Sequence, residues 1–345
     1  MKRIVQAAAL ATAAAVTLGL AACSGPTEAS TDSAAMIEPM AESASDLKVA
    51  FFQAGSSNAY LQANISAAEE LATDLDITLD VFDAQWDAQT QADQIQSAIT
   101  SGKYNAFMVL PVDGNLICDA ITQDAIPSGI LVSVLNVPIC GLETEVGDAT
   151  QAPGTVTFVG GQTRPVYESW VDQVIADHPE GGEIGLIAGP DLSANTITFF
   201  AAAEKLEENG FTIVGSQTTD YTTPQGYQAA QAMLSANPDL TVIMSNYSGV
   251  TLGVVQAVAD AGRADGLDIY DVGGDEWGLE QVADGVLKNT VMLLPARETE
   301  EALQALADAA DGKSVPAFIN LAEDDSLPGT ALVTSENVDE FTAEY

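Results

Sequence analysis

From Leu47 onward the chain alternates short apolar runs with longer segments whose apolar residues return every three or four positions. Residues 47–52 form a strand-like run, and Gly55 to Asn58 interrupt it. Residues 59–75 then carry Leu61, Ile65, Ala68, Leu71 and Leu75 at helical spacing. Ile77, Leu79 and Val81 alternate with polar neighbours, which predicts a second strand. A helix over 87–101 ends at Gly102, a strand over 105–110 follows, then a helix over 115–126 and a strand over 130–135. The pattern pauses and restarts. Strands are predicted over 156–159, 184–188, 211–215, 240–244, 267–272 and 290–294. The helices between and after them fall over 165–177, 195–208, 224–236, 249–261, 277–284 and 298–310. Strand–helix alternation requires parallel sheets covered on both faces. Two successive runs of similar size predict an α/β protein of two doubly wound parallel-sheet lobes rather than one long sheet.

The segment before Leu47 belongs to neither run. Met1-Lys2-Arg3 is basic, residues 4–19 are uncharged and rich in Ala, Leu and Val, and Leu20-Ala21-Ala22-Cys23 closes the stretch with small residues. This is the pattern of an export signal, too short in its apolar core for a comfortable membrane span. L-A-A-C resembles the lipobox of bacterial lipoproteins, which implies cleavage after residue 22 and acylation of Cys23. Two acyl chains, at about 0.8 kcal/mol for each buried methylene, anchor a protein stably. The location this implies is extracytoplasmic, with the protein lipid-anchored to the cell membrane. Residues 23–46 are Ser, Thr, Ala, Glu and Pro with isolated Met and Ile, and read as a flexible tether.

Composition narrows the partners. Fifty acidic residues against 10 basic ones give a formal net charge of −40. Such a surface repels phosphate backbones and anionic lipid heads, so nucleic-acid binding is not expected and the membrane is met through the lipid anchor only. With Cys23 acylated, Cys118 and Cys140 remain as an even pair in an oxidising compartment, where disulfides persist. A bond between them is expected, the other reading being two buried thiols. Catalysis has little support: there is one histidine, His178, placed to cap a helix end, and no nucleophile elbow, phosphate loop or dinucleotide fingerprint occurs. No cofactor and no metal are expected.

Several punctuation motifs occur in a fixed order: F-F-Q-A-G-S-S-N-A-Y-L from Phe51, M-V-L-P-V-D from Met108, I-L-V-S-V-L-N from Ile130, N-P-D-L-T-V-I-M-S-N from Asn237, A-V-A-D-A-G from Ala257 and D-V-G-G-D from Asp271. With the export signal and the two α/β runs they resemble the type I periplasmic binding proteins, the ribose and galactose binder class that serves ABC sugar importers. The resemblance spans about residues 47–334. It implies a three-stranded hinge with crossings near Gly160, Leu293 and Leu321. One lobe would be 47–160 completed by 294–320, the other 161–293 completed by 321–345. It further implies a monomer that binds a small-molecule solute between the lobes and hands it to a membrane-embedded ABC permease.

Residues at strand ends are then the candidates for ligand contact. In the first lobe these are Asn58, Tyr60, Trp86 and Asn136; in the second they are Asp191, Tyr221, Asn246, Asp275 and Trp277, with Gln85, Asn195 and Tyr247 beside them. Amide and carboxyl groups pair with hydroxyls, and flat rings cover the C–H faces of a polyol. Asn58 also reads as a helix cap. Two positions depart from the sugar binders: Thr198 stands where they offer an Arg, and Leu293 where they offer a Gln. The site is therefore expected to be less polar, and beside a monosaccharide or polyol another small polar or amphipathic solute stays open. Two further classes remain, a sensor lipoprotein presenting its ligand to a membrane receptor and a surface glycosidase with two carboxyls across a cleft.

Overall fold

The first apolar run is strand β1, Lys48–Gln53, in which only Lys48 is exposed. A strand buried on both faces is what a helix-covered parallel sheet requires. The computed structural model describes residues 39–345. The expected export signal, Cys23 and the expected tether up to residue 38 lie outside the described residues. Residues 39–46, expected to belong to the tether, are instead packed on the folded body. Ala41 is buried, the amide of Met40 donates to the Gly129 carbonyl at 2.9 Å, and that of Ala44 to Asp311 Oδ1 at 3.0 Å.

After β1 come α1 (Ala59–Asp74), β2 (Thr78–Asp83), α2 (Ala88–Ser101), β3 (Ala106–Val109), β4 (Leu131–Leu135) and β5 (Thr157–Gly160). Asn58 and Asp87 cap α1 and α2 through their side chains, and Gly102 ends α2 with φ 61°. The helix expected over 115–126 is instead a π-helical stretch, Ala120–Ala125, running into a 3₁₀ turn, Ile126–Ser128. Pro127 has no N–H to extend a regular ladder, and the Thr122 hydroxyl takes the Cys118 carbonyl at 2.9 Å. Cys118 is disulfide-bonded to Cys140, with Cα atoms 4.9 Å apart.

The second series is α3 (Arg164–Asp177), β6 (Gly182–Ala188), α4 (Ala194–Ala203), α5 (Lys205–Glu208), β7 (Phe211–Thr218), α6 (Thr223–Ala236), β8 (Leu240–Ser245), α7 (Ser248–Asp260), β9 (Asp268–Gly273), α8 (Glu276–Ala283) and β10 (Asn289–Met292). The long helix α9 (Pro295–Ala310) and two three-residue strands, β11 (Phe318–Asn320) and β12 (Leu332–Thr334), complete the elements.

One sheet has the order β11-β5-β4-β3-β1-β2 and the other β12-β10-β9-β8-β6-β7. Every pairing is parallel except β10 with β12. These are two α/β lobes of the same winding, each reversing direction beside its first strand, and that reversal opens a crevice at the carboxyl ends of the strands. The chain passes between the sheets at 161–163, 293–294 and 321–331. After the first passage, α3 is fixed to the second sheet by Trp170, whose indole N–H donates to Asn289 Oδ1 at 2.9 Å. After the second, α9 is fixed to the first by Asn64, whose amide donates to the Pro295 carbonyl at 2.7 Å, and by the Ser133 hydroxyl, which donates to the Ala302 carbonyl at 2.9 Å. His178 caps α3 and sits 3.1 Å from the Tyr270 hydroxyl, away from the crevice.

Candidate functional site

The loops at the carboxyl ends of both sheets meet around a cavity with about 530 Å³ of empty space, its mouth included. The first lobe contributes Asn58 and Tyr60 after β1, Trp86 after β2, Leu110 to Val112 after β3, and Asn136 after β4. The second contributes Ser193 and Asn195 after β6, Tyr221 after β7, and Asn246 with Tyr247 after β8. Gln162 and Leu293 come from two of the passages between the lobes. No charged side chain lines the space.

The backbone is bent to bring some of these groups in. Trp86, Asn136 and Tyr221 have φ of 62°, 65° and 57°, a left-handed conformation that L-residues with side chains rarely hold. Such residues collect where the surrounding structure imposes a geometry that function needs. The Tyr221 ring lies over Gly189, where a Cβ would stand 1.9 Å from its Cζ, so only glycine permits the approach. Trp86 is packed in the same way over Gly55.

Asn58 caps α1 as expected, its Oδ1 accepting from the Leu61 amide at 2.9 Å, and the residue also lines the cavity. Asn136 Nδ2 donates to the Tyr60 hydroxyl at 2.7 Å, and Asn195 Nδ2 donates to Asn136 Oδ1 at 2.9 Å, joining the lobes directly. The Tyr60 hydroxyl donates in turn to Glu298 Oε2 at 2.6 Å. Glu298 is buried, and loss of solvation raises its carboxyl pKa to about 8. In the second lobe Asn246 Oδ1 accepts from the Gly189 amide at 3.1 Å, while its Nδ2 is buried without a partner. A buried amide donor in a cavity wall is costly unless an acceptor meets it.

Three of the expected contact residues, and Gln85 beside them, do not line the cavity. Asp275 is spent as the cap of α8, its Oδ1 accepting from the Gly278 amide at 2.7 Å, with burial raising its pKa. Trp277 is half-buried on the same helix and Asp191 is exposed beyond the end of β6. The other carboxyl of D-V-G-G-D, Asp271, is fully buried and accepts from the hydroxyls of Ser248, Thr251 and Thr290 at 2.8, 2.5 and 2.6 Å. Burial raises its pKa to about 7. Thr198 also stays out of the cavity; its hydroxyl reaches the Glu143 carbonyl of the facing lobe at 2.9 Å. Sequence reasoning overlooked Gln162, Ser193 and Glu298. Gln162 follows the Gly160-Gly161 break and Ser193 precedes a helix, weak signals shared by many loops.

Among the described residues no cluster of His, Cys, Asp and Glu could hold a metal ion, and no helix is long and apolar enough to cross a membrane.

Comparison with known proteins agrees with this architecture. A family model described as the periplasmic binding protein domain matches residues 49–314. The chain is 21% identical over 252 residues to the ribose import binding protein RbsB of Salmonella typhimurium, covering 72% of this chain and 80% of that one. It is 26% identical over 179 residues to the D-ribose/D-allose-binding protein of Pseudomonas aeruginosa, covering 52% and 54%. Among solved structures, an ABC transporter solute binding protein from Mycobacterium smegmatis with bound glycerol is 26% identical with a TM-score of 0.73, covering 87% of this chain and 98% of that one. The Caulobacter myo-inositol binding protein bound to myo-inositol has the same fold at 22% identity and a TM-score of 0.73, covering 86% and 96%. With two like-wound lobes, a cavity where their strand ends meet and a family match over most of its length, the chain belongs to the periplasmic binding protein family.

Proposed function

We propose that this protein is an extracytoplasmic solute-binding protein that captures a small neutral polyhydroxylated solute, a monosaccharide or related polyol, between its lobes and delivers it to a membrane-embedded ABC permease. The observation that carries the reading is the cavity wall. It is uncharged, presents several amides and places Trp86, Tyr221 and Tyr247 around the space. Amides both donate and accept, as hydroxyls require, and rings cover C–H surfaces. A charged solute would be stripped of water with no counter-charge to receive it. The relatives named for D-ribose and D-allose, and the neighbours holding glycerol and myo-inositol, support the same class. In this reading Asn58, Tyr60, Trp86, Asn136, Tyr221 and Asn246 touch solute, and the protein acts as a monomer without catalysing a reaction. The lobes are 47–160 with 294–320 and 161–293 with 321–345, moving about the three passages.

A thermal-shift series with D-ribose, D-allose, myo-inositol and glycerol tests it, since a ligand that binds only the native state raises Tm. At least one is expected to raise Tm of the parent and to raise that of Asn246→Ala much less. No shift with any neutral sugar or polyol contradicts the reading. The anchor rests on L-A-A-C: radiolabelled palmitate is expected in the parent and absent from Cys23→Ser.

A further inference from the structure

The cavity wall is not polar on every side. Leu110, Pro111 and Val112 follow β3, Val137 follows Asn136 after β4, and Leu293 comes from the second passage between the lobes; all five line the space. Their side chains give a hydroxyl no partner, and their main-chain donors are already used. The amide of Leu110 donates to the Phe52 carbonyl at 2.9 Å, that of Val112 to Gln91 Oε1 at 2.8 Å, that of Val137 to the Leu135 carbonyl at 2.7 Å and that of Leu293 to the Gly273 carbonyl at 3.0 Å. Pro111 has no N–H to offer. Gln91, fully buried on α2 and outside the cavity, also donates from Nε2 to the Leu110 carbonyl at 2.9 Å. One buried side chain thus absorbs much of the main-chain polarity of the β3 loop, and the strip meets the cavity largely as hydrocarbon.

The second lobe has the opposite character. Ser193, Asn195, Asn246 and Tyr247 bring hydroxyls and amides to the same space, and Asn246 Nδ2 is buried without a partner. The polar groups of the first lobe deepest in the wall are turned to one another: the Tyr60 hydroxyl donates to Glu298, and Asn136 Nδ2 donates to Tyr60. The unmet donor therefore stands on one side of the cavity and the apolar strip on another. A solute hydroxylated on every carbon would set an O–H against the strip and give up its bond to water for none.

We infer that the solute is deoxygenated at one end: a hydroxyl or ring oxygen accepts from Asn246 Nδ2, and a methyl or methylene group lies against Leu110, Val112, Val137 and Leu293, which are the specificity-determining residues of the site. The inference rests on the reading of the cavity as a sugar or polyol site and narrows it to deoxy sugars and terminally deoxygenated polyols. These molecules keep hydroxyls along one edge for the second lobe and carry an apolar end that needs no partner. A pocket built for a methyl group disfavours the same molecule with a hydroxyl in its place by about 10- to 100-fold.

Matched pairs that differ by one hydroxyl test it: L-rhamnose against L-mannose, D-fucose against D-galactose, and propane-1,2-diol against glycerol. Isothermal titration of the parent is expected to show, in at least one pair, the deoxy member binding about tenfold tighter or more. Val137→Thr keeps the branched shape of a buried strip residue and adds a hydroxyl, and Val112→Thr does so at a half-buried position where folding is less at stake. Each is expected to weaken binding of that deoxy member and to narrow the ratio several-fold, with melting curves confirming a folded protein. A preference below about tenfold in every pair, binding of D-ribose, D-allose or myo-inositol but of no deoxy member, or a ratio unchanged in both variants overturns the inference and leaves the sugar and polyol reading in place. No binding by any of these compounds overturns that reading and the inference with it.

Discussion

Trp86 of the first lobe and Tyr221 of the second meet across the cleft with ring centroids 5.4 Å apart and planes tilted by 41°. Tyr221 in turn meets Tyr247 edge-on at 5.4 Å. The lobes thus touch through rings at the edge of the cavity, where a solute with flat C–H surfaces would lie. Trp86→Ala is expected to weaken binding of the solute found by thermal shift about tenfold, or ~1.4 kcal/mol, and Trp86→Phe by much less. Isothermal titration checks both, and equal affinity in Trp86→Ala removes the ring from the site.

The approach of Tyr221 to Gly189 carries its own prediction. A methyl group at Gly189 would overlap the ring, with 1.9 Å to Cζ, and force Tyr221 out of the wall. Gly189→Ala is expected to lower affinity while the protein remains folded. Gly266→Ala, where no atom lies within 4 Å of the added carbon, is expected to bind like the parent. Binding and melting curves of the two variants, taken together, distinguish a site effect from a folding effect.

What the sequence made legible follows from where signals are strong. The runs that became β1, β3, β4 and β8 are apolar nearly throughout because both faces of their sheets are covered, and that alone identifies parallel lobes. The strands β11 and β12 left no such mark: at three residues each they have no period to read, and β11 is only half-buried. In the cavity wall, Asn58, Asn136 and Asn246 were legible as lining residues because each follows a strand. Asp275 follows one too, but its carboxyl caps α8, and a sequence does not show whether a polar group at a helix start faces the backbone or the cavity. Glu298 was hidden because an acid in the first turn of an amphipathic helix looks like any solvated residue favouring the helix dipole. Its burial depends on α1, β4 and the distant carboxyl terminus.

Asp271 makes stability depend on pH. Its pKa is about 7 in the fold against 3.8 for the free group, so the unfolded chain ionises first and the folded state is penalised as pH rises. Its destabilising effect is absent below about pH 4, grows between about 4 and about 7, and is constant above. Glu298 acts in the same direction up to about pH 8. Urea unfolding of the parent is expected to show stability falling across this window by a few kcal/mol, the order that shifts of this size imply. Asp271→Asn, whose amide oxygen still accepts from the surrounding hydroxyls, is expected to flatten the profile. An unchanged slope in Asp271→Asn removes Asp271 as the source.

The Cys118–Cys140 bond closes a loop with a sequence separation of 22 within the first lobe. In the chain-entropy model such a closure contributes about 3 kcal/mol. The double variant Cys118→Ala/Cys140→Ala is expected to melt a few degrees lower, at roughly 2 °C per kcal/mol for a chain of this length. Adding reductant is expected to lower Tm of the parent and leave the double variant unmoved.

The most direct measurement is a crystal structure of the protein with the sugar or polyol that gives the largest thermal shift. The account predicts density for the solute in the cavity between the lobes, beside Trp86 and Tyr221, with one of its oxygens within hydrogen-bonding distance of Asn246 Nδ2. Density for the solute on the outer face of one lobe, with the cavity left to water, would contradict it.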